Sequence, residues 1–220
     1  LSTVFSSLIE EIIITIVVIL LFLMHFKSSV LVSLTLPFGV GISFILMKIL
    51  GVESNIMSLS GLVIAIGSMV DMGIIMTENI YSHLSQRSGL KDKERVEVIL
   101  TAAKEVGPAI LTAVMTTIIT FLPVFALEGS EGKLFIPLAW AKTLAMLGAV
   151  LVSLVLLPVL ATFMLKGELR PIEKNKLSLA IAKNYSRVLF YILENRQKFL
   201  MLPFVLMIAG YIAFSNLGRE

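Results

Sequence analysis

The amino-acid sequence predicts an all-α integral membrane protein with six transmembrane helices. Two observations carry this. Of 220 residues, 57% are hydrophobic and 15% charged, against about 45–50% and about 25% in a soluble domain. The charges are also clustered, leaving long stretches almost free of them. A span needs about 20 apolar residues to cross about 30 Å of hydrocarbon.

Six runs qualify, at about 8–24, 30–50, 56–80, 109–127, 134–165 and 199–214. Pro37, Pro123, Pro158 and Pro203 lie in or near them, and membrane helices tolerate proline better than soluble ones. The fifth run carries Lys142 close to its start. That lysine either snorkels outward or pairs with an acid in the bundle. The loops alternate in charge. Fourteen of the 18 Lys and Arg fall in the segments 25–29, 81–108 and 166–198, which the positive-inside rule places in the cytoplasm. The first span then enters from outside, and the sixth leaves outward.

Two cytoplasmic loops carry helical patterns. Residues 176–194 put Leu177, Ala180, Ile181, Val188 and Ile192 on one side and Lys176, Lys183 and Arg187 among the polar positions. This predicts an amphipathic helix lying along the inner membrane surface. Residues 91–104 predict a shorter helix ended by Gly107-Pro108, and 128–133 reads as a Gly-rich polar turn on the outer side. The chain opens at Leu1 without a basic leader, so no signal peptide is expected and the sequence reads as a piece of a longer protein. With no cysteine it has no disulfide, zinc–thiolate site or cysteine nucleophile. There is no HExxH, G-x-S-x-G or P-loop. The expectation is a non-enzymatic protein with no permanently bound cofactor and no nucleic-acid partner.

The third span holds the most informative residue, Asp71. A carboxylate deep in hydrocarbon costs several kcal/mol. It is either a proton-relay acid or a structural group paired to a helix outside this chain. With Asp71 as zero on a helical wheel, Glu78 falls at about −20°, Met69 at about 160°, Met76 at about 140° and Met72 at about 100°. Glu78 thus shares the carboxylate face, about 10 Å along the axis, as a relay group or a solvated interfacial acid. Met69 and Met76 lie opposite, as packing or as ligands. Thioethers suit Cu(I) and Ag(I), not zinc, cobalt or nickel. His25 and His83 lie at span ends and read as ordinary interfacial histidines.

These residues resemble a known family. Asn55-Ile-Met-Ser-Leu-Ser-Gly-Leu-Val-Ile-Ala-Ile-Gly-Ser-Met-Val-Asp71, followed by Glu78-Asn79, is similar to the fourth transmembrane helix of heavy-metal efflux pumps of the resistance-nodulation-division superfamily. His25-Phe-Lys-Ser-Ser, Glu105-Val-Gly-Pro108, the stretch 127–139 and Lys142-Thr-Leu-Ala-Met146 continue the likeness over essentially the whole chain. The resemblance implies that the six spans correspond to helices two to seven of a twelve-helix transporter. It implies an inner-membrane homotrimeric proton antiporter acting with a periplasmic adaptor and an outer-membrane channel, with Asp71 as the relay acid. Ala65 stands where a zinc/cobalt/cadmium branch has a second acid, and Met72 where a drug-exporting branch has a second Asp. Both point to the monovalent Cu(I)/Ag(I) branch. In that branch Met57, Met69, Met76 and Met146 match a stepwise methionine path, with Met76 and Met146 as one pair. Two other readings stay open: a transporter of divalent metals or organic molecules, and a truncated fragment serving only as an assembly piece.

Overall fold

The computed structural model describes residues 2–23, 25–87, 89–167, 169 and 176–216. They divide into two compact units, Leu1–Arg170 and Pro171–Glu220. No strand occurs among the described residues.

The first unit opens on α1 (Ser2–Phe22), whose 21 residues are enough to cross the hydrocarbon at 1.5 Å each. The second predicted span is two helices, α2 (Phe26–Ser33) and α3 (Thr35–Ile49), separated at Leu34. Pro37 accounts for the break, because it has no N–H for the Ser33 carbonyl and its ring crowds that carbonyl. Leu34 keeps right-handed helical torsions (φ −68°, ψ −21°), so the two pieces continue as one span.

Helix α4 (Ile56–Ser85) starts at a reciprocal cap. The Asn55 side chain accepts from the Ser58 amide at 2.9 Å, and the Ser58 hydroxyl accepts from the Asn55 amide at 2.8 Å. The cap satisfies amides that a helix start leaves open, and it sets the depth of everything downstream, Asp71 included.

Helix α5 (Asp92–Phe121) corrects an expectation. The predicted loop helix does not end at Gly107-Pro108 but runs on into the fourth span. Pro108 removes one bond, to the Lys104 carbonyl, and the loss stays local. Phe121 leads into a 3₁₀ turn, Leu122–Ala126. Helix α6 (Gly129–Leu151) also starts early, absorbing the residues expected as a polar turn. Lys142 therefore lies mid-helix rather than near the start of its span. A π segment, Val152–Leu156, joins α6 to α7 (Leu157–Met164). Pro158 cannot donate to Leu154, and the turn widens there.

Five stretches are long and apolar enough to cross a membrane: Phe26–Ile49, Ile56–Ser85, Asp92–Ala126, Gly129–Met164 and Arg196–Ser215. With α1 they cover the six predicted runs. The core of the first unit lies where α4 packs against α3 and α6. Small residues allow close approach. A Cβ on Gly148 would lie 2.9 Å from the Gly39 carbonyl oxygen, and one on Gly61 would strike the Leu138 carbonyl. The C-terminal end of α7 is held by two cations from other helices: Lys27 Nζ donates to the Lys166 carbonyl at 2.7 Å, and Arg95 Nη1 donates to the Leu165 carbonyl. Cations suit this end of a helix, where carbonyls lack partners and the macrodipole is negative.

The second unit holds α8 (Lys176–Glu194) and α9 (Arg196–Asn216). Helix α8 has the bounds expected for the amphipathic segment. Tyr191 and Phe199 join the two helices edge to face, 6.0 Å between centroids.

Candidate ion and proton site

Asp71 opens into a groove of about 410 Å³ between α4, α5 and α6. Ser68, Met72, Ala113, Thr117 and Met146 also line it. Asp71 is exposed there, whereas Met72 and Met146 are 5% and 3% exposed. Of the predicted residues, the structure therefore brings Asp71 and Met146 together. Met72 joins them, although the helical wheel had placed it between the carboxylate and thioether faces. Its adjacency to Asp71 was the available signal.

Met69 and Met76 are fully buried. The Met69 methyl fills the space that a Cβ on Gly39 would take, and Ala149 of α6 lies against the same point. Met69 is thus seated where α3, α4 and α6 meet. This also fixes the register of α4 and α6, which run in parallel because α5 returns between them. Gly61 meets Leu138 and Ala141, and the level of Met69 corresponds to residues 146–149. Met146 is therefore level with Met69. Met76 lies two turns deeper, about 10 Å away along the axis, beside the π segment. The expected pairing of Met76 with Met146 does not follow the register. It rested on sequence likeness, which carries no information about the level of one helix against another. Met57 sits half-buried near the α4 start and joins none of these groups.

Glu78 is half-buried, and its Oε1 has no hydrogen-bond partner among the described residues. It does not line the Asp71 groove. The ionisable group facing it is His25, whose ring rests 4.6 Å from that of Tyr81. A turn further on, His83 Nε2 lies 2.8 Å from Glu105 Oε2, and Asn79 Nδ2 donates to the Ala102 carbonyl at 2.9 Å. The two histidines expected as plain interfacial residues are thus held to specific neighbours. Lys142 forms no ion pair with an acid among the described residues. Its Nζ stands 4.0 Å over the Phe121 ring, a cation–π contact. Among the described residues no three His, Cys, Asp or Glu gather as a metal site.

The first unit is a helical bundle with a carboxylate and several methionines along one central helix, and its long apolar helices can cross a membrane. The chain belongs to the AcrB/AcrD/AcrF family, whose model matches residues 1–220. It is 40% identical over 195 residues to the cation efflux system protein CusA of Escherichia coli K12, covering 86% of this chain and 19% of that protein. It is 29% identical to the cobalt-zinc-cadmium resistance protein CzcA of Cupriavidus metallidurans, covering 100% of this chain and 21% of that protein. A crystal structure of a heavy metal efflux pump matches with a TM-score of 0.60 and 32% identity, over 74% of this chain and 15% of that one. The chain thus spans about a fifth of the length of these curated relatives.

Proposed function

We propose that this chain is part of a pump that exports Cu(I) or Ag(I) across the bacterial inner membrane in exchange for protons. Asp71 takes up a proton from the outer side and releases it inward, with Glu78 as a second relay acid. The thioethers of Met57, Met69, Met76 and Met146 hand the metal along. The working unit is a homotrimer in the lipid bilayer, coupled to a periplasmic adaptor and an outer-membrane channel. No chemical bond in a substrate is broken.

The observation that carries this reading is the donor set. Two carboxylates, Asp71 and Glu78, and several buried methionines lie on or against the central helix, while no His/Cys/Asp/Glu triad occurs among the described residues. Soft monovalent ions prefer thioethers, and divalent ions prefer imidazole, carboxylate or thiolate. The likeness to CzcA supports a second reading, transport of divalent metals.

A tolerance panel decides between them. Cells expressing the gene are expected to survive higher copper and silver, with zinc, cobalt and cadmium tolerance unchanged. Met76→Ile combined with Met146→Ile is expected to remove that protection while the protein still accumulates. Protection against zinc alone overturns the reading.

A further inference from the structure

We propose that Lys27, Arg95 and Lys166 form a binding site for the phosphate of an anionic phospholipid, where α2, α5 and the end of α7 meet at the Lys- and Arg-rich membrane surface. The inference does not depend on which ion the protein carries.

Each of the three basic segments, 25–29, 81–108 and 166–198, sends one cation to the same place. Lys27 Nζ donates to the Lys166 carbonyl at 2.7 Å, and Arg95 Nη1 donates to the Leu165 carbonyl. These carbonyls belong to consecutive residues, whose Cα atoms are about 3.8 Å apart. Lys166 adds its own ammonium, 5.9 Å from the Phe163 ring centroid. Three positive charges thus gather around one helix end, whose macrodipole supplies only about half a negative charge. Among the described residues none of the three pairs with a carboxylate, and the one ion pair there joins His83 to Glu105. Glu94, next to Arg95 in sequence, accepts from the Lys91 amide instead.

The three cations keep donors to offer. Lys27 and Lys166 are exposed, and an ammonium has three donors, of which Lys27 uses one. Arg95 is half-buried beneath them, and its Nε has no hydrogen-bond partner among the described residues. With Nη1 taken, the Nε–Nη2 edge of the guanidinium is uncommitted, and phosphate oxygens match such an edge two at a time. The depth suits a lipid phosphate. Lys27 lies three residues before the apolar run that starts at 30, and Lys166 one residue past the run that ends at 165. At 1.5 Å per residue these positions are about 5 Å and about 2 Å beyond the hydrocarbon, inside a headgroup layer of about 5–8 Å. Basic pockets between membrane helices at this level suit anionic headgroups. Val155, Val159 and Phe163 are exposed at four-residue steps along the π segment and α7, and Phe26 is exposed beside Lys27. They make an apolar strip from the cations into the hydrocarbon. A phosphate carrying acyl chains uses both the cations and the strip, whereas free phosphate or an acidic peptide leaves the strip unused.

The test uses protein purified from the whole gene in a neutral detergent. Phosphatidylglycerol is expected to raise its melting temperature and to stay bound in native mass spectrometry, and zwitterionic phosphatidylcholine to do neither. Lys27→Gln combined with Lys166→Gln should weaken phosphatidylglycerol binding by at least about tenfold, since each Lys or Arg near an anionic surface contributes about fivefold. Lys27→Arg with Lys166→Arg should keep the affinity, which separates lost charge from lost fold. Lys48→Gln with Lys133→Gln, on the opposite side, should leave it unchanged. Equal binding of the two lipids, or unchanged affinity in the double Gln variant, overturns the site. Glycerol phosphate competing as well as the lipid overturns the lipid assignment, and an acidic peptide that binds where phosphatidylglycerol does not overturns it in favour of a protein partner. None of these results touches the proposed metal export.

Discussion

At Gly39 a single added carbon would occupy the space that the Met69 methyl fills. Overpacking of this kind costs about 1–3 kcal/mol. Gly39→Ala should therefore lower the melting temperature in detergent, and adding Met69→Ala should recover part of it, because the two changes share one space and cannot be additive. An additive pair would show that the two side chains do not meet. Asp71 gives the opposite expectation. Asp71→Asn removes an ionisable group whose charged form costs about 2.5–3.5 kcal/mol at the bilayer centre on insertion scales. Stability should hold or rise, and proton-coupled metal flux in vesicles should stop. Retained flux removes Asp71 from the mechanism. Asp71 was legible in the sequence because one acid among apolar residues is expensive wherever its helix lies. Its groove was not, because that depends on which faces α5 and α6 present.

The helix ends show where sequence reading stops at the scale of elements. The start of α4 follows from Asn55 and Ser58, a local cap written in four consecutive residues. The start of α5 does not. The charged segment at Asp92 and the apolar one past Pro108 look like separate units by composition, yet they form one helix. Proline costs a single hydrogen bond there and does not stop helical propagation once the flanking turns are packed. The C-terminal end of α7 depends on residues far away in sequence. Arg95 lies 70 positions before the carbonyl it meets, a relation that periodicity cannot reveal. A hydrogen bond from a charged donor contributes about 1.5–3 kcal/mol. Arg95→Ala should lower stability by that order, and Lys27→Ala, at an exposed position, by less. Equal and negligible effects in thermal unfolding would mean that the α7 end is held by packing alone. The π segment before α7 is legible only in retrospect, through Pro158.

Hydropathy predicts six spans, a count that depends on length and composition alone, and five helices among the described residues are long and apolar enough to cross a membrane. Orientation rests on a different quantity, the asymmetry of Lys and Arg, with fourteen of 18 assigned to one side. That bias sets which way a polytopic chain inserts, and the proposed proton uptake from the outer side presupposes it. This 220-residue segment contains no cysteine, so a single introduced thiol is the one reactive cysteine within it. Ser85 ends α4 and Ser130 begins α6, so they should lie on opposite sides. Ser85→Cys should resist a membrane-impermeant maleimide added to intact cells and react only after permeabilisation. Ser130→Cys should react from outside. Ser186→Cys on α8 should behave as Ser85→Cys, because α8 lies in the Lys- and Arg-rich segment between the fifth and sixth predicted spans. Labelling of Ser85→Cys from outside would invert the whole assignment. The proposed uptake of a proton by Asp71 from the outer side would then fail, and with it the proposed export driven by the inward proton gradient.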